Sequence, residues 1–338
     1  MQKKIFLVMG IIVLCMAMFT YAPERGEAVV GGDCDACHSL YPGMMEKTMR
    51  GKPFQFVLRD IFCINCHSHN TSETIKLLGG NRVPVVFNNV KPVHPLAGGN
   101  FYPVARDFGD RKGHNVKSIA SVDAKFRNVP PGYSRKLDPS LTGYDMGQQL
   151  SCAGTNGCHG DRNIEDPFEA VFGAHHAVGL PIDGSTTAKS YRYLRNAGKV
   201  KGVTGYEDNE WNRHATADKH NEYTPSIDEF CTSCHGEFHT GKLSSVKSPW
   251  FRHPTGIVLP SNGEYANYRT YNPDAPVARP VLPQSPSNVV TPGKDAVSCL
   301  SCHLAHAGPY ESLLRWDYDN IFTGEDEKGG CIVCHTGK

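Results

Sequence analysis

Cys331-Ile332-Val333-Cys334-His335 lies near the C-terminal end of the sequence. A Cys-x-x-Cys-His run reads as covalent attachment of a c-type haem. Thiols three residues apart on a helical turn share a face, where both can add to the vinyl groups of one porphyrin. The histidine directly after them is placed to reach the iron as proximal ligand. The same run recurs at Cys34, Cys37 and His38, at Cys63, Cys66 and His67, at Cys231, Cys234 and His235, and at Cys299, Cys302 and His303. A stretched form, Cys152-Ala-Gly-Thr-Asn-Gly-Cys158-His159, sets five residues between the thiols. Those residues must bulge out as a loop if the two sulfurs are to keep vinyl separation.

Paired Cys-x-x-Cys motifs also build zinc ribbons, but zinc does not need a histidine after the second cysteine. With 16 histidines in 338 residues, chance would place one after a given cysteine roughly one time in twenty, so its recurrence at every pair selects haem. The expectation is six covalently bound haem c groups, with His38, His67, His159, His235, His303 and His335 as proximal iron ligands.

The cysteine count agrees. Met1-Gln2-Lys3-Lys4 precedes an apolar run from Ile5 to about Tyr21, the layout of a secretory signal, and Gly26-Glu27-Ala28 supplies small residues at a cleavage site. Residues 1–28 therefore read as a signal peptide and the rest as exported, to the periplasm or the cell exterior. An uncleaved segment would instead serve as an N-terminal membrane anchor. Of 13 cysteines only Cys15 lies in that segment, which leaves twelve for six haems. No thiol remains for a disulfide, a nucleophile or a zinc site.

The formal charge of +1 becomes 32 positive against 32 negative side chains once residues 1–28 are set aside. Haem propionates then move the particle to the negative side, which argues against a nucleic-acid partner. The 34 glycines and 23 prolines together approach 17%, against an average of about 12%. A chain this interrupted is predicted to form short α-helices and loops with few short strands, its core built around stacked haems. Val83–Phe87 and Ile119–Phe126 are expected as strands, and a soft boundary near Gly143–Gly147 separates an N-terminal dihaem region (29–145) from a C-terminal tetrahaem region (146–338). Met44, Met45 and Met49, on an expected short helix, read as apolar packing rather than ligands.

Six irons also need distal ligands, and ten non-proximal histidines are present, which favours bis-histidine coordination. Asp166 as N-cap and Pro167 at the first helical position predict a helix running to His176, with Phe168, Val171, Phe172, His175 and His176 on one stripe. Adjacent His175 and His176 would serve neighbouring irons. Ser226-Ile-Asp-Glu229 reads as a capping box for a helix entering Cys231. His239 and His306 fall four and three residues after a proximal histidine, on the same helix face. Neither can reach the far side of its own porphyrin, so each is expected to serve a different haem packed nearby. His114 and His253, flanked by turn-formers, complete the six distal candidates. His220, His69, His94 and His214 are weaker candidates, with propionate or solvent contact as the alternative. His335 needs a distal partner from elsewhere in the chain.

Phe230-Cys-Thr-Ser-Cys-His-Gly-Glu-Phe-His239, Ser248-Pro-Trp-Phe-Arg-His-Pro254 and Cys299-Leu-Ser-Cys-His-Leu-Ala-His306 resemble the multihaem c-type cytochromes of metal-respiring bacteria, the doubled Cys-x-x-Cys-His group. The resemblance spans roughly Cys152 to Lys338; the first half matches through its motifs, and the stretched site departs from the pattern. It implies a multihaem cytochrome c fold and low-potential electron transfer in the periplasm or outside the cell. The implied partners are redox proteins, including other cytochromes or a quinol-oxidising complex. A second expectation is self-association into an extracellular cytochrome filament. A third is a multihaem reductase with one open iron; families of that kind often carry a Cys-x-x-Cys-Lys site, and this sequence has none.

Overall fold

The computed structural model describes residues 30–38, 58, 62–94, 96–107, 109–133, 148–177, 182–196, 201–207, 215–239, 253–322 and 329–336. The expected signal peptide, the methionine segment 43–49, the boundary at 143–147 and His214 lie outside them.

The helices are single turns or little more: α1 Cys63–His67, α2 Tyr102–Ala105, α3 Pro167–Ala170, α4 Ser226–Thr232, α5 Cys299–Cys302 and α6 Gly330–Cys334. Four of the six carry motif cysteines, and a 3-10 turn holds Cys34–Ala36. The strands are equally short. β1 (Ser68–His69) pairs in parallel with β4 (Phe87–Asn88), while β2 (Ile75–Leu78) and β3 (Asn81–Pro84) form an antiparallel hairpin. Its two-residue turn is Gly79-Gly80, both at positive φ, the pairing that a twisted hairpin favours. β5 (Ser151–Ala153), β6 (Gly157–Asp161) and β7 (Leu194–Arg195) make a parallel three-stranded sheet. β8 (Gly205–Tyr206) and β9 (Glu222–Tyr223) pair antiparallel. β10 (Ile257–Val258) and β11 (Val277–Ala278) flank β12 (Ala296–Val297) in an antiparallel sheet.

Five sequence expectations are corrected. Val83–Phe87 is divided between β3 and β4, and Ile119–Phe126 forms turns with one bridge, Asp123 to Arg127. The helix expected to reach His176 ends at Ala170. Asp166 does cap it, accepting from the Phe168 and Glu169 amides, but Val171 leaves helical geometry and Gly173 sits at φ +74°. The capping box at Ser226 does not form, because Pro225 is the N-cap and Ser226 Oγ faces Thr204 N and Thr224 Oγ1 instead. His303 is extended (φ −113°, ψ 151°) after α5, so it does not share a helix face with His306.

Three small apolar clusters take the place of one core: Tyr191, Val203, Tyr223, Ile227, Phe230 and Leu300 with neighbours; Leu259, Tyr268, Tyr271, Val277, Val290 and Val297; and Phe101, Val104, Val116 and Ala307. Motif cysteines pack on each: Cys158 and Cys231 on the first, Cys334 on the second, Cys152 on the third. Contacts also cross residue 145, since Ala307 bridges to Gly99 and Gly113 and the His114 amide donates to His306 O at 2.9 Å.

Candidate haem-binding site

A continuous cavity of about 2730 Å³ runs among these clusters, lined by eleven of the twelve motif cysteines. A pocket for one small ligand is about 300–1,000 Å³, so the space suits several large groups. None of the twelve forms a disulfide.

Local chemistry brings each thiol pair together. In the regular motifs a helical turn does so; in the last, His335 N donates to Cys331 O at 2.9 Å. The stretched motif uses a loop. Ser151 pairs with Gly157 and Ala153 with His159, so the chain doubles back between Cys152 and Cys158. Gly154, at φ +81°, would place a Cβ 2.8 Å from Glu165 O, and a Cβ on Gly157 would lie 2.5 Å from Ala153 backbone atoms. The loop closes only because both are glycine. The first motif is held differently: Asn81 Oδ1 accepts from the Gly31 and Gly32 amides at 2.8 and 2.9 Å.

The histidines come together in pairs, and all the paired rings but His335 line the cavity. Ring centres are separated by 5.9 Å for His38 and His176, 6.2 Å for His67 and His175, and 6.1 Å for His159 and His306. The separation is 6.1 Å for His235 and His114 and 6.2 Å for His335 and His253. Each pair joins the histidine of one motif to one of the six distal candidates. Two imidazoles on opposite sides of one metal, with bonds of about 2.0–2.1 Å and about 1.1 Å from nitrogen to ring centre, have centres about 6 Å apart. The pair spacings match that value. His303 lines the same cavity; the side chain of the sixth candidate, His239, lies outside the described residues.

Hydrogen bonds fix which nitrogen faces the gap. Nδ1–H donates to a backbone carbonyl from His67 (Pro84, 2.9 Å), His159 (Arg192, 2.8 Å), His235 (Pro131, 2.8 Å) and His303 (Ser312, 2.7 Å). His114 and His253 use Ala305 and Pro254 in the same way, at 2.7 and 2.9 Å. With the proton held on Nδ1, the Nε2 lone pair is free for a metal. Burial also favours the neutral ring at seven of the cavity histidines. It pushes His175 and His235 down to about 4 and His306 to about 3, and it lowers His67, His114, His159 and His303.

Neighbouring motifs touch in chain order. Adjacent residues His175 and His176 link the second site to the first. The Cys63 side chain lies beside that of Cys152, and Cys231 beside Cys299, linking second to third and fourth to fifth. Cys158 lies in the field of Cys231 and Cys234, and Cys334 in that of Cys302, which supplies the remaining two links.

Arg162, just after the third motif and only 3% exposed, donates to Ser233 Oγ at 2.7 Å and Cys234 Sγ at 3.6 Å. Its Nε has no hydrogen-bond partner among the described residues. A buried guanidinium with an open donor on the cavity wall fits an anionic group such as a haem propionate, and the facing neutral imidazoles fit an iron. His220 also borders the cavity, but both of its ring nitrogens are engaged by protein atoms. It is 1% exposed and stacked on Tyr271, with Nδ1 toward Thr216 O and Nε2 3.2 Å from Glu222 Oε1. Glu222 pairs with Arg279 and Arg279 with Asp295, a buried ionic chain. His220 lies just before β9 and only two residues from Glu222, so the contact is local in the sequence.

Residues 291–338 match the family model described as the doubled CXXCH motif. Over 402 aligned residues the chain is 23% identical to the C-type cytochrome OmcS of Geobacter sulfurreducens, covering 96% of this chain and 88% of that protein. Among solved structures it is similar to the outer membrane cytochrome S filament and the OmcS nanowires of the same organism. Both have a TM-score of 0.46, with 18% and 19% identity, and cover 88% of this chain and 86% of theirs.

Proposed function

We propose that this chain, a multihaem c-type cytochrome of the doubled Cys-x-x-Cys-His group, holds six bis-histidine haems in a line that follows chain order and works as an electron-transfer relay. The observation that carries the proposal is the set of five proximal–distal imidazole pairs with centres 5.9–6.2 Å apart. The sixth pair in this reading is His303 with His239, the one remaining member of the six distal candidates. When bound, haem supplies one-electron Fe(III)/Fe(II) chemistry. The residues of the chain do the rest: paired imidazoles leave no position for substrate, backbone carbonyls fix their orientation, and the apolar clusters exclude water. Side chains perform no acid–base step in this reading, which is that of an electron carrier rather than an enzyme.

The chain is exported in this account, with residues 1–28 as the signal. Among the described residues no helix is long and apolar enough to cross a membrane. Its partners are other redox proteins. Self-association into a filament is a second reading, favoured by the likeness over 96% of this chain to OmcS, a protein whose solved structures are titled filament and nanowires. The test is intact mass combined with ferric EPR on the purified protein. Six haems and a wholly low-spin spectrum are expected; five haems, or a high-spin component with substrate turnover, would refute the relay. Electron microscopy of the same sample separates filament from monomer.

A further inference from the structure

Four motif histidines, His67, His159, His235 and His303, rest Nδ1–H on neutral backbone carbonyls. His335 does not. Its Nδ1 lies 3.1 Å from Glu264 Oε1, with both side chains about three-quarters buried (27% and 21% exposed). The backbone and the neighbouring side chains around this contact are held as well. Glu264 sits in the 3-10 turn Gly263–Asn267, its own carbonyl accepts from Thr336 Oγ1, and the adjacent Tyr265 ring meets the His335 ring edge-on at 5.1 Å. The residues at both ends of the contact are therefore held.

A full negative charge accepting the N–H of a metal-bound histidine makes that ligand more basic than a carbonyl does. A more basic ligand stabilises the ferric ion, with its extra positive charge, over the ferrous ion, and so lowers the reduction potential. We propose that Glu264 is a potential-setting residue for the haem at Cys331–His335, holding it lower than a carbonyl partner would. The inference rests on the bis-histidine reading above. The redox step is one electron gained or lost at that iron; no bond forms or breaks, and the proton stays on His335 Nδ1. Glu264 touches the ligand and not the iron, so it is a positioning residue. Its consequence is directional: an electron at the C-terminal site is disposed to leave, toward the fifth site or toward a partner.

The test is Glu264→Gln in the full haem-loaded protein, which keeps the acceptor oxygen and removes the charge. Intact mass, low-spin EPR and a spectroelectrochemical titration are read together. The expected result is an unchanged haem count, an all-low-spin spectrum, and one single-electron component shifted upward by at least about tenfold in its equilibrium constant, equivalent to about 59 mV. Glu264→Asp, which keeps the charge but draws it back by a methylene, should move the same component by less. Titrations superimposable on the parent, or a shift spread evenly over every component, would overturn the proposal. If the Gln variant fails to load, the Asp variant decides alone: movement of one component supports the role and no movement overturns it. A parent protein lacking the sixth haem, or high-spin at that site, would instead break the reading beneath it.

Discussion

Gly157→Ala is the sharpest probe of the stretched motif. The added Cβ would stand 2.5 Å from the backbone N and C of Ala153 and 2.6 Å from its Cα, closer than carbon atoms tolerate. Those atoms cannot retreat, because Ala153 is 2% exposed and is paired with His159 while Gly157 is itself paired with Ser151. Overpacking of a tight site costs about 1–3 kcal/mol, and rigid backbone puts this case at the upper end. About 3 kcal/mol is roughly a hundredfold in the closing of the loop. Two further variants separate the causes. Gly154→Ala combines a φ of +81° with carbonyl oxygens at 2.8 and 2.9 Å, whereas Gly173→Ala has φ +74° and nothing within 4 Å, so it carries only the left-handed penalty of about 1–2 kcal/mol. Intact mass should show a species one haem short of the parent for Gly157→Ala and Gly154→Ala, and none for Gly173→Ala. A Gly157→Ala protein with the parental haem count and an unchanged Tm would refute the closure argument.

Replacing His253 with Ala removes the ring facing His335 at 6.2 Å; one high-spin ferric site should appear by EPR while the haem count stays constant. Glu222→Gln strands the buried Arg279, whose Nε lies 2.9 Å from the carboxylate, and His220 beside it. Breaking one partner of a buried pair costs about 3–5 kcal/mol, readable by chemical denaturation. Acid should weaken the fold in a defined window. His175, His235 and His306 sit at about 4, 4 and 3 in the fold against an ordinary 6.5, so between those values the unfolded chain binds more protons and stability rises with pH. Tm should fall from pH 6.5 towards 4 and level off below the folded values; a flat profile would contradict the neutral, buried state of these rings.

The sequence carried the attachment chemistry openly, because Cys-x-x-Cys-His is local and each motif makes its own turn. Five of the six histidines it offers as distal candidates, for partly mistaken reasons, stand within about 6 Å of a motif histidine. The spacing predicts a continuous helix through His175 and His176; Val171 already leaves helical geometry, and a turn presents them instead. His306 was placed on a shared helix face with His303, yet the extended conformation at His303 sends it to His159. Which histidine meets which motif was not legible, since His114 and His235 lie 121 positions apart in the sequence and only packing brings them together. Arg162 and Glu264 were missed altogether. A buried charge is invisible until burial is known, and Glu264 reaches His335 across 71 residues.

The central claim is that each motif histidine shares an iron with one particular distal histidine. A density map of the haem-loaded protein tests it most directly. The expected result is an iron between His38 and His176, His67 and His175, His159 and His306, His235 and His114, and His335 and His253, with His239 on His303. An iron ligated by a different histidine at any of these positions, or by none, would contradict it.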